Sequence, residues 1–187
     1  MFKEKKILLL GGSGTLGQEI KKIINSDTKF AILSPSSSFL NFNKKNSIKI
    51  LHTLLSKNNF DIIINCIGVF GNNSSEFSDI INPNLKSNWE IINYFLFKNS
   101  RKKIKIFLIG SSAYSGARKN YMLYAASKSA LNSLYKSAKE YFIEKKVSIY
   151  IKHPKTFKSR MTSNIPKAKF KNDASIIAKQ IYRLIKK

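Results

Sequence analysis

The stretch Ile7-Leu8-Leu9-Leu10-Gly11-Gly12-Ser13-Gly14-Thr15-Leu16-Gly17 decides the fold, because four apolar residues run straight into a turn with glycine at 11, 14 and 17. A short apolar run bounded by glycines is the pattern of a strand buried on both faces of a parallel sheet. Leu16, Ile20, Ile23 and Ile24 then recur at helical spacing, so strand, turn and helix follow one another directly. Glycines at such a junction let the main chain bend tightly and approach a pyrophosphate, which the positive end of the helix attracts. Gly11, Ser13, Gly14, Thr15, Leu16 and Gly17 are therefore the first candidate cofactor-binding residues.

The same alternation continues along the chain. Phe30 to Leu33 predicts a second strand and Phe39 to Phe42 a short third one, separated by the loop Ser34-Pro35-Ser36-Ser37-Ser38. A helix through Ile48, Leu51, Leu54 and Leu55 leads to a fourth strand, Phe60 to Asn65, which ends in Asn65-Cys66-Ile67-Gly68. Phe77 to Phe97 predicts a long helix interrupted near Pro83, since proline lacks the N–H that would bond the carbonyl of Asp79. Strands at Ile104 to Ile109 and Val147 to Ile151 flank an amphipathic helix from Tyr121 to about Glu144, and Asp173 caps a last helix. The pattern predicts an α/β fold: a doubly wound, Rossmann-like parallel sheet of about six strands with helices on both faces. We expect residues 1–187 to form one domain.

Ligands of open α/β sheets sit beyond the carboxyl ends of the strands. Asn65 and Gly68 at the fourth strand end and Ser34 at the second therefore join the candidate cofactor set. An acid at the end of the second strand commonly binds the ribose hydroxyls of NAD, and none is present at Ser34. The expected cofactor is NADP, with NAD as the alternative.

Composition bounds the rest. The 187 residues are 43% hydrophobic with a formal net charge of +24, enough apolar material for a core and too much charge to ignore. Of 34 basic residues only Arg101, Arg118, Arg160 and Arg183 are arginines, and arginine is the residue best shaped for phosphates and guanines. The excess lysine, with abundant asparagine and isoleucine, is compositional, which argues against nucleic acid as a partner. No apolar run reaches the ~18 residues of a membrane span, and the first strand is too short for a secretion signal. The single cysteine, Cys66, lies in an apolar run, as a buried thiol of a cytoplasmic protein does.

The chemistry points to Tyr124-Ala125-Ala126-Ser127-Lys128. A tyrosine and a lysine four apart share one helix face, so the ammonium is expected to favour the phenolate and lower a pKa that starts near ~10. Ser111-Ser112 lie shortly upstream.

Gly11, Gly14 and Gly17, then Asn65 to Gly68, Asn84, Ser111-Ser112 and the Tyr124/Lys128 pair, in this order over nearly the whole chain, resemble the short-chain dehydrogenase/reductase family. The resemblance implies hydride exchange between nicotinamide and a carbonyl or alcohol carbon. Tyr124 would be the general acid/base, and Lys128 would bind the nicotinamide ribose. Ser112 would hydrogen-bond the substrate oxygen, with Ser111 as the alternative. Asn84 would support a water-linked proton path to the lysine, and Pro154 would line the nicotinamide. It further implies a homodimer or homotetramer through the two long helices, where Ala126 and Ala130 permit close approach.

Three departures accompany it. Leu10 replaces a frequent threonine, Lys155 stands where glycine usually follows proline, and no seventh strand follows the last helix. The basic loop Lys152 to Lys171, with Lys155, Lys158, Arg160, Lys167 and Lys169, would suit an anionic substrate or merely share the composition of the chain. His153 is expected to be structural. Two other functions use the same residues: a nucleotide-sugar epimerase or dehydratase, and a non-catalytic NAD(P)-binding regulatory protein.

Overall fold

The computed structural model describes residues 4–97, 102–163 and 173–187. Five strands, β1 (Lys5–Leu10), β2 (Phe30–Leu33), β3 (Ile62–Asn65), β4 (Ile104–Ile109) and β5 (Val147–Lys152), form one parallel sheet in the order β2-β1-β3-β4-β5. This is the doubly wound architecture with one strand fewer than expected. The segment Phe39 to Phe42 is the missing strand. Leu40 and Phe42 are buried there, but from turns in which the Asn43 N–H donates to Asn41 Oδ1 at 3.0 Å. An asparagine that bonds its own neighbouring backbone competes with a strand ladder.

Helices α1 (Thr15–Asn25) and α6 (Ala174–Lys186) cover one face of the sheet. The other carries α2 (Ser47–Lys57), α4 (Ser87–Leu96) and α5 (Met122–Tyr141), with the short α3 (Phe77–Ile81) preceding α4. The period-2 rule of strands divides the core. Ile7 and Leu9 pack with Ile20, Ile177 and Ile181, whereas Leu8 and Leu10 pack with Leu51, Ile91 and Leu131. Side chains this completely removed from water contribute on the order of 1.5–3 kcal/mol each. Asp173 caps α6 as predicted, accepting from the Ser175 N–H at 2.7 Å.

Between α3 and α4 the chain makes a π turn, Asn82–Lys86. This is the interruption that Pro83 foretold, and it buries Asn84 completely. The sheet order places the reversal of winding between β1 and β3. The connections after those two strands therefore diverge, and a crevice opens over their carboxyl ends.

Candidate active site

The glycine turn is built by contact with the end of β3. Gly11 has φ +72°, and a Cβ on it would lie 2.8 Å from the Cys66 carbonyl carbon and from the Ile67 nitrogen. Only glycine tolerates both the conformation and the approach. Gly14 is different. Its backbone is extended, and a Cβ there would meet nothing but the Gly11 carbonyl, 3.3 Å away. Gly14 also forms the N-cap of α1 with no side chain capping it, leaving the first-turn amides of the helix to face the crevice. A group that needs backbone N–H donors and close approach, such as a pyrophosphate, fits this cradle.

Two cavities meet at that point. One of about 470 Å³ runs from Gly14 and Gly17 past Ile109 and Pro154 to Tyr124. The other, of about 400 Å³, runs beside Ser13, Pro35, Ser37 and Phe42. They share Gly14, Cys66, Ile67, Gly68 and Arg160, so a two-lobed ligand with an anionic middle matches the space. Arg160 holds the neck, its Nη2 donating to the Ser13 carbonyl at 2.5 Å. Cys66 lies on the shared wall, and burial pushes its thiol up to about 12.

Beside the second cavity, Ser34 and Lys21 converge on Gly12. The Ser34 hydroxyl occupies the place a Cβ on Gly12 would take, and Lys21 Nζ lies 3.3 Å from the same point. The lysine was not foreseen. Its signal was the spacing from Gly17, four residues earlier on α1, combined with the tilt of helical side chains toward the N-terminus.

At the other end of the larger cavity, α5 carries Tyr124, Ser127 and Lys128, all buried. Lys128 Nζ donates to the Ile109 carbonyl at 3.0 Å and stands 5.9 Å from the centre of the Tyr124 ring. Burial lowers its pKa to about 8, while the nearby Cys66 acts in the opposite direction. Tyr124 corrects the expectation drawn from spacing. Burial raises its pKa, Ser111 opposes the rise by hydrogen bonding, and Tyr121 adds to it. The ammonium points at a main-chain carbonyl rather than at the phenol, so a shared helix face has not produced a lowered tyrosine.

Of the two serines, Ser111 is the one that bears on the Tyr124 pKa. Ser111 Oγ also accepts from the Ala113 N–H at 3.1 Å, capping a 3-10 turn over Ser112–Ser115. That turn sets the register. Ser112 still lines the cavity, with its N–H on the Pro154 carbonyl at 3.0 Å.

Asn84 lies behind this wall rather than on it. Its Oδ1 accepts from the Val69 N–H at 2.8 Å, and its Nδ2 donates to the Val69 carbonyl at 3.0 Å and to Ser127 Oγ at 3.2 Å. The π turn thus ties the loop after β3 to α5. A Cβ on Gly68 would be 3.3 Å from Asn84 Oδ1 and 3.6 Å from Lys128 Nζ, so Gly68 keeps open the gap between them. Asn65 is also buried. It donates to Ser87 Oγ and Asn88 Oδ1 at 3.0 and 2.9 Å and accepts from the Ile67 N–H at 3.0 Å, fixing the β3 turn.

His153 stacks on Tyr114 with ring centres 4.1 Å apart and pairs with Asn132 Oδ1 at 3.1 Å, the structural role expected of it. Phe70, Arg118 and Tyr121, which the sequence did not single out, line the Tyr124 end of the cavity. Lys167 and Lys169 of the basic loop lie outside the described residues.

The sequence profile described as short chain dehydrogenase matches residues 43–169. Among solved structures, a short chain dehydrogenase family protein from Francisella tularensis is 16% identical with a TM-score of 0.81, covering 97% of this chain and 90% of its own. A short chain dehydrogenase from Burkholderia cenocepacia in complex with NADP is 11% identical with a TM-score of 0.84, covering 100% and 86%. The 3-alpha-hydroxysteroid dehydrogenase of Pseudomonas sp., complexed with NADH, is 11% identical with a TM-score of 0.81, covering 97% and 89%. No curated protein matches the sequence.

Proposed function

The chain belongs to the short-chain dehydrogenase family, and from that premise we propose that Ser111, Tyr124 and Lys128 serve hydride exchange between NADP and a small carbonyl or alcohol. It is an NAD(P)-dependent oxidoreductase. The observation that carries the residue assignment is the meeting of Tyr124, Ser111 and Lys128 on the wall of the cavity that begins at the uncapped glycine turn.

Bound nicotinamide would supply the hydride acceptor or donor. The chain's own residues handle the proton and the placement. Tyr124 gives its phenolic proton to the carbonyl oxygen during reduction and takes it back during oxidation. Ser111 donates a hydrogen bond to the same oxygen and helps stabilise the phenolate left behind. Lys128, buried and cationic below about pH 8, now donates to the Ile109 carbonyl; it would hold the nicotinamide ribose hydroxyls and favour the phenolate with its charge. Water in the gap at Gly68, supported by Asn84, returns the proton.

Glycine-turn amides and Arg160 would hold the pyrophosphate. Ser34 and Lys21, with Ser37 on the cavity wall, would favour a 2′-phosphate over bare ribose hydroxyls, which supports NADP as the preferred form. Asn65 and Gly68 shape the turn above β3, and Pro154 lines the nicotinamide side.

Residues 1–187 act as one such domain. Trp89 on α4 and Met122 on α5 are exposed, and Ala126 and Ala130 leave room beside them, so a homodimer through these helices is part of the reading. Among the described residues no helix is long and apolar enough to cross a membrane. A single high-pKa thiol suits the reducing cytoplasm.

An aldehyde and ketone screen with NADPH and with NADH tests this function, run on the native protein and on Ser111→Ala and Ser112→Ala. Ser111→Ala should lose about 10²-fold in kcat/KM and Ser112→Ala under tenfold. A strong preference for NADH removes the assignment of Ser34 and Lys21. Cofactor binding without any turnover favours a regulatory protein.

A further inference from the structure

Two of the four arginines in this lysine-dominated chain, Arg118 and Arg160, line the same cavity. Arg160 is occupied at the glycine turn. Arg118 stands at the far end, in the connection between Ser111 and Tyr124. Its Nη1 donates to the Ala117 carbonyl at 3.0 Å and its Nη2 to the Ser112 carbonyl at 3.4 Å. The group is thus held by two main-chain acceptors, one of them on the residue next to Ser111, with N–H donors of its five-donor fork to spare.

No acidic residue lines the cavity, and the salt bridges of the described residues are His52 with Glu90 and Lys102 with Asp61. Arg118 is a fixed guanidinium with no carboxylate partner among the described residues. The wall beside it is aromatic. Phe70 packs against Tyr121 with ring centres 4.9 Å apart and against Tyr124 at 5.0 Å. A flat apolar body fits these rings, and a planar anion fits the fork, which takes a carboxylate through two parallel hydrogen bonds.

We propose that the substrate is an aldehyde or ketone carrying a carboxylate, its apolar body against Phe70 and Tyr121 and its carboxylate on Arg118. The proposal rests on the oxidoreductase reading above and adds the substrate class. The chemistry balances as in any carbonyl reduction. The carbonyl carbon gains hydride from NADPH, its oxygen gains the Tyr124 proton, and the carboxylate passes through unchanged as an anchor.

The probes are 4-carboxybenzaldehyde and methyl 4-formylbenzoate, alike in shape around the ring, the first an anion and the second neutral. With NADPH, kcat/KM for the acid should exceed that for the ester by at least about tenfold, the worth of one charge-assisted pair. Arg118→Gln should bring the ratio toward one, and Arg118→Lys should restore part of it. A ratio near one in the native protein overturns the proposal. So does a ratio that persists in Arg118→Gln while both rates fall, since that is the behaviour of an arginine that only braces Ser112.

If neither aldehyde is reduced, the same ratio is read as Kd on the NADPH complex by fluorescence titration. Arg118-dependent preference for the acid then sustains the proposal while the hydride-transfer reading fails. Equal or absent binding of the two overturns it.

Discussion

The two ends of the main cavity are made of different material. At the β1–β3 end the contacts are main chain: Gly11 against Cys66 and Ile67, Gly14 open to the crevice, and the first turn of α1. At the β4–β5 end they are side chains: Tyr124, Ser111, Lys128 and Arg118, mounted on α5 and the loop before it. Backbone donors set by the fold suit a ligand common to many chains. Side chains on a loop suit a substrate peculiar to one, because they change without disturbing the sheet.

The largest effect should come from the side-chain end. Tyr124→Phe should lower kcat about 10³-fold, as expected for loss of a positioned acid, while NADPH still titrates with an affinity within a few-fold of native. Equal losses in both would mean that the ends are not separable.

At the glycine turn the comparison sharpens to two neighbouring glycines. Gly11→Ala forces a side chain into a positive-φ position against backbone and should destabilise the fold by roughly 2–4 kcal/mol, read as a lowered midpoint in urea. Gly14→Ala should move that midpoint far less, since its backbone is extended and its Cβ meets only the Gly11 carbonyl, 3.3 Å away, but weaken NADPH binding about tenfold or more by filling the cradle. A Gly14 variant that binds NADPH normally would remove the pyrophosphate from this position.

The last effect is one of pH. Lys128 has its folded pKa depressed to about 8 from an ordinary 10.5. Below 8 both folded and unfolded chains carry the proton, and the fold bears the cost of a buried charge. Between 8 and 10.5 the folded lysine is neutral while the unfolded one is still charged, so that cost is relieved as pH rises. The unfolding free energy of the native protein relative to Lys128→Met should therefore increase from pH 7 toward pH 10. A flat or falling difference would mean that the ammonium is better solvated than its burial implies.

Much of the backbone end was legible from residue types. A glycine that must adopt positive φ, an apolar run with no alternation and a proline inside a helical pattern are constraints written locally, and the turn, β1 and the distortion at Asn84 followed from them. The side-chain end depended on three-dimensional aim. Spacing put Tyr124 and Lys128 on one face but said nothing of the Ile109 carbonyl that draws the ammonium away. Two adjacent serines were alike in sequence, and only the 3-10 turn over Ser112–Ser115, capped by Ser111, gives them different surroundings. Phe39 to Phe42 failed as a strand because the burial of Leu40 and Phe42 does not require extension.

Viewed along its axis, the stretch from Phe77 to Leu96 is two rods out of phase. Ile80 and Ile91 are eleven residues apart, close to three turns, so an unbroken helix would stack them on one face. Instead Ile80 packs against Gly71, and Ile91 joins the sheet core. The single extra residue of the π turn is a phase shifter of about 100°. Deleting one residue between 82 and 86 would bring the rods back into step. Ile80 would swing from the loop that borders the cavity, and the Asn84 amide would leave the Val69 backbone. The length of this helix therefore governs where the far wall of the cavity stands.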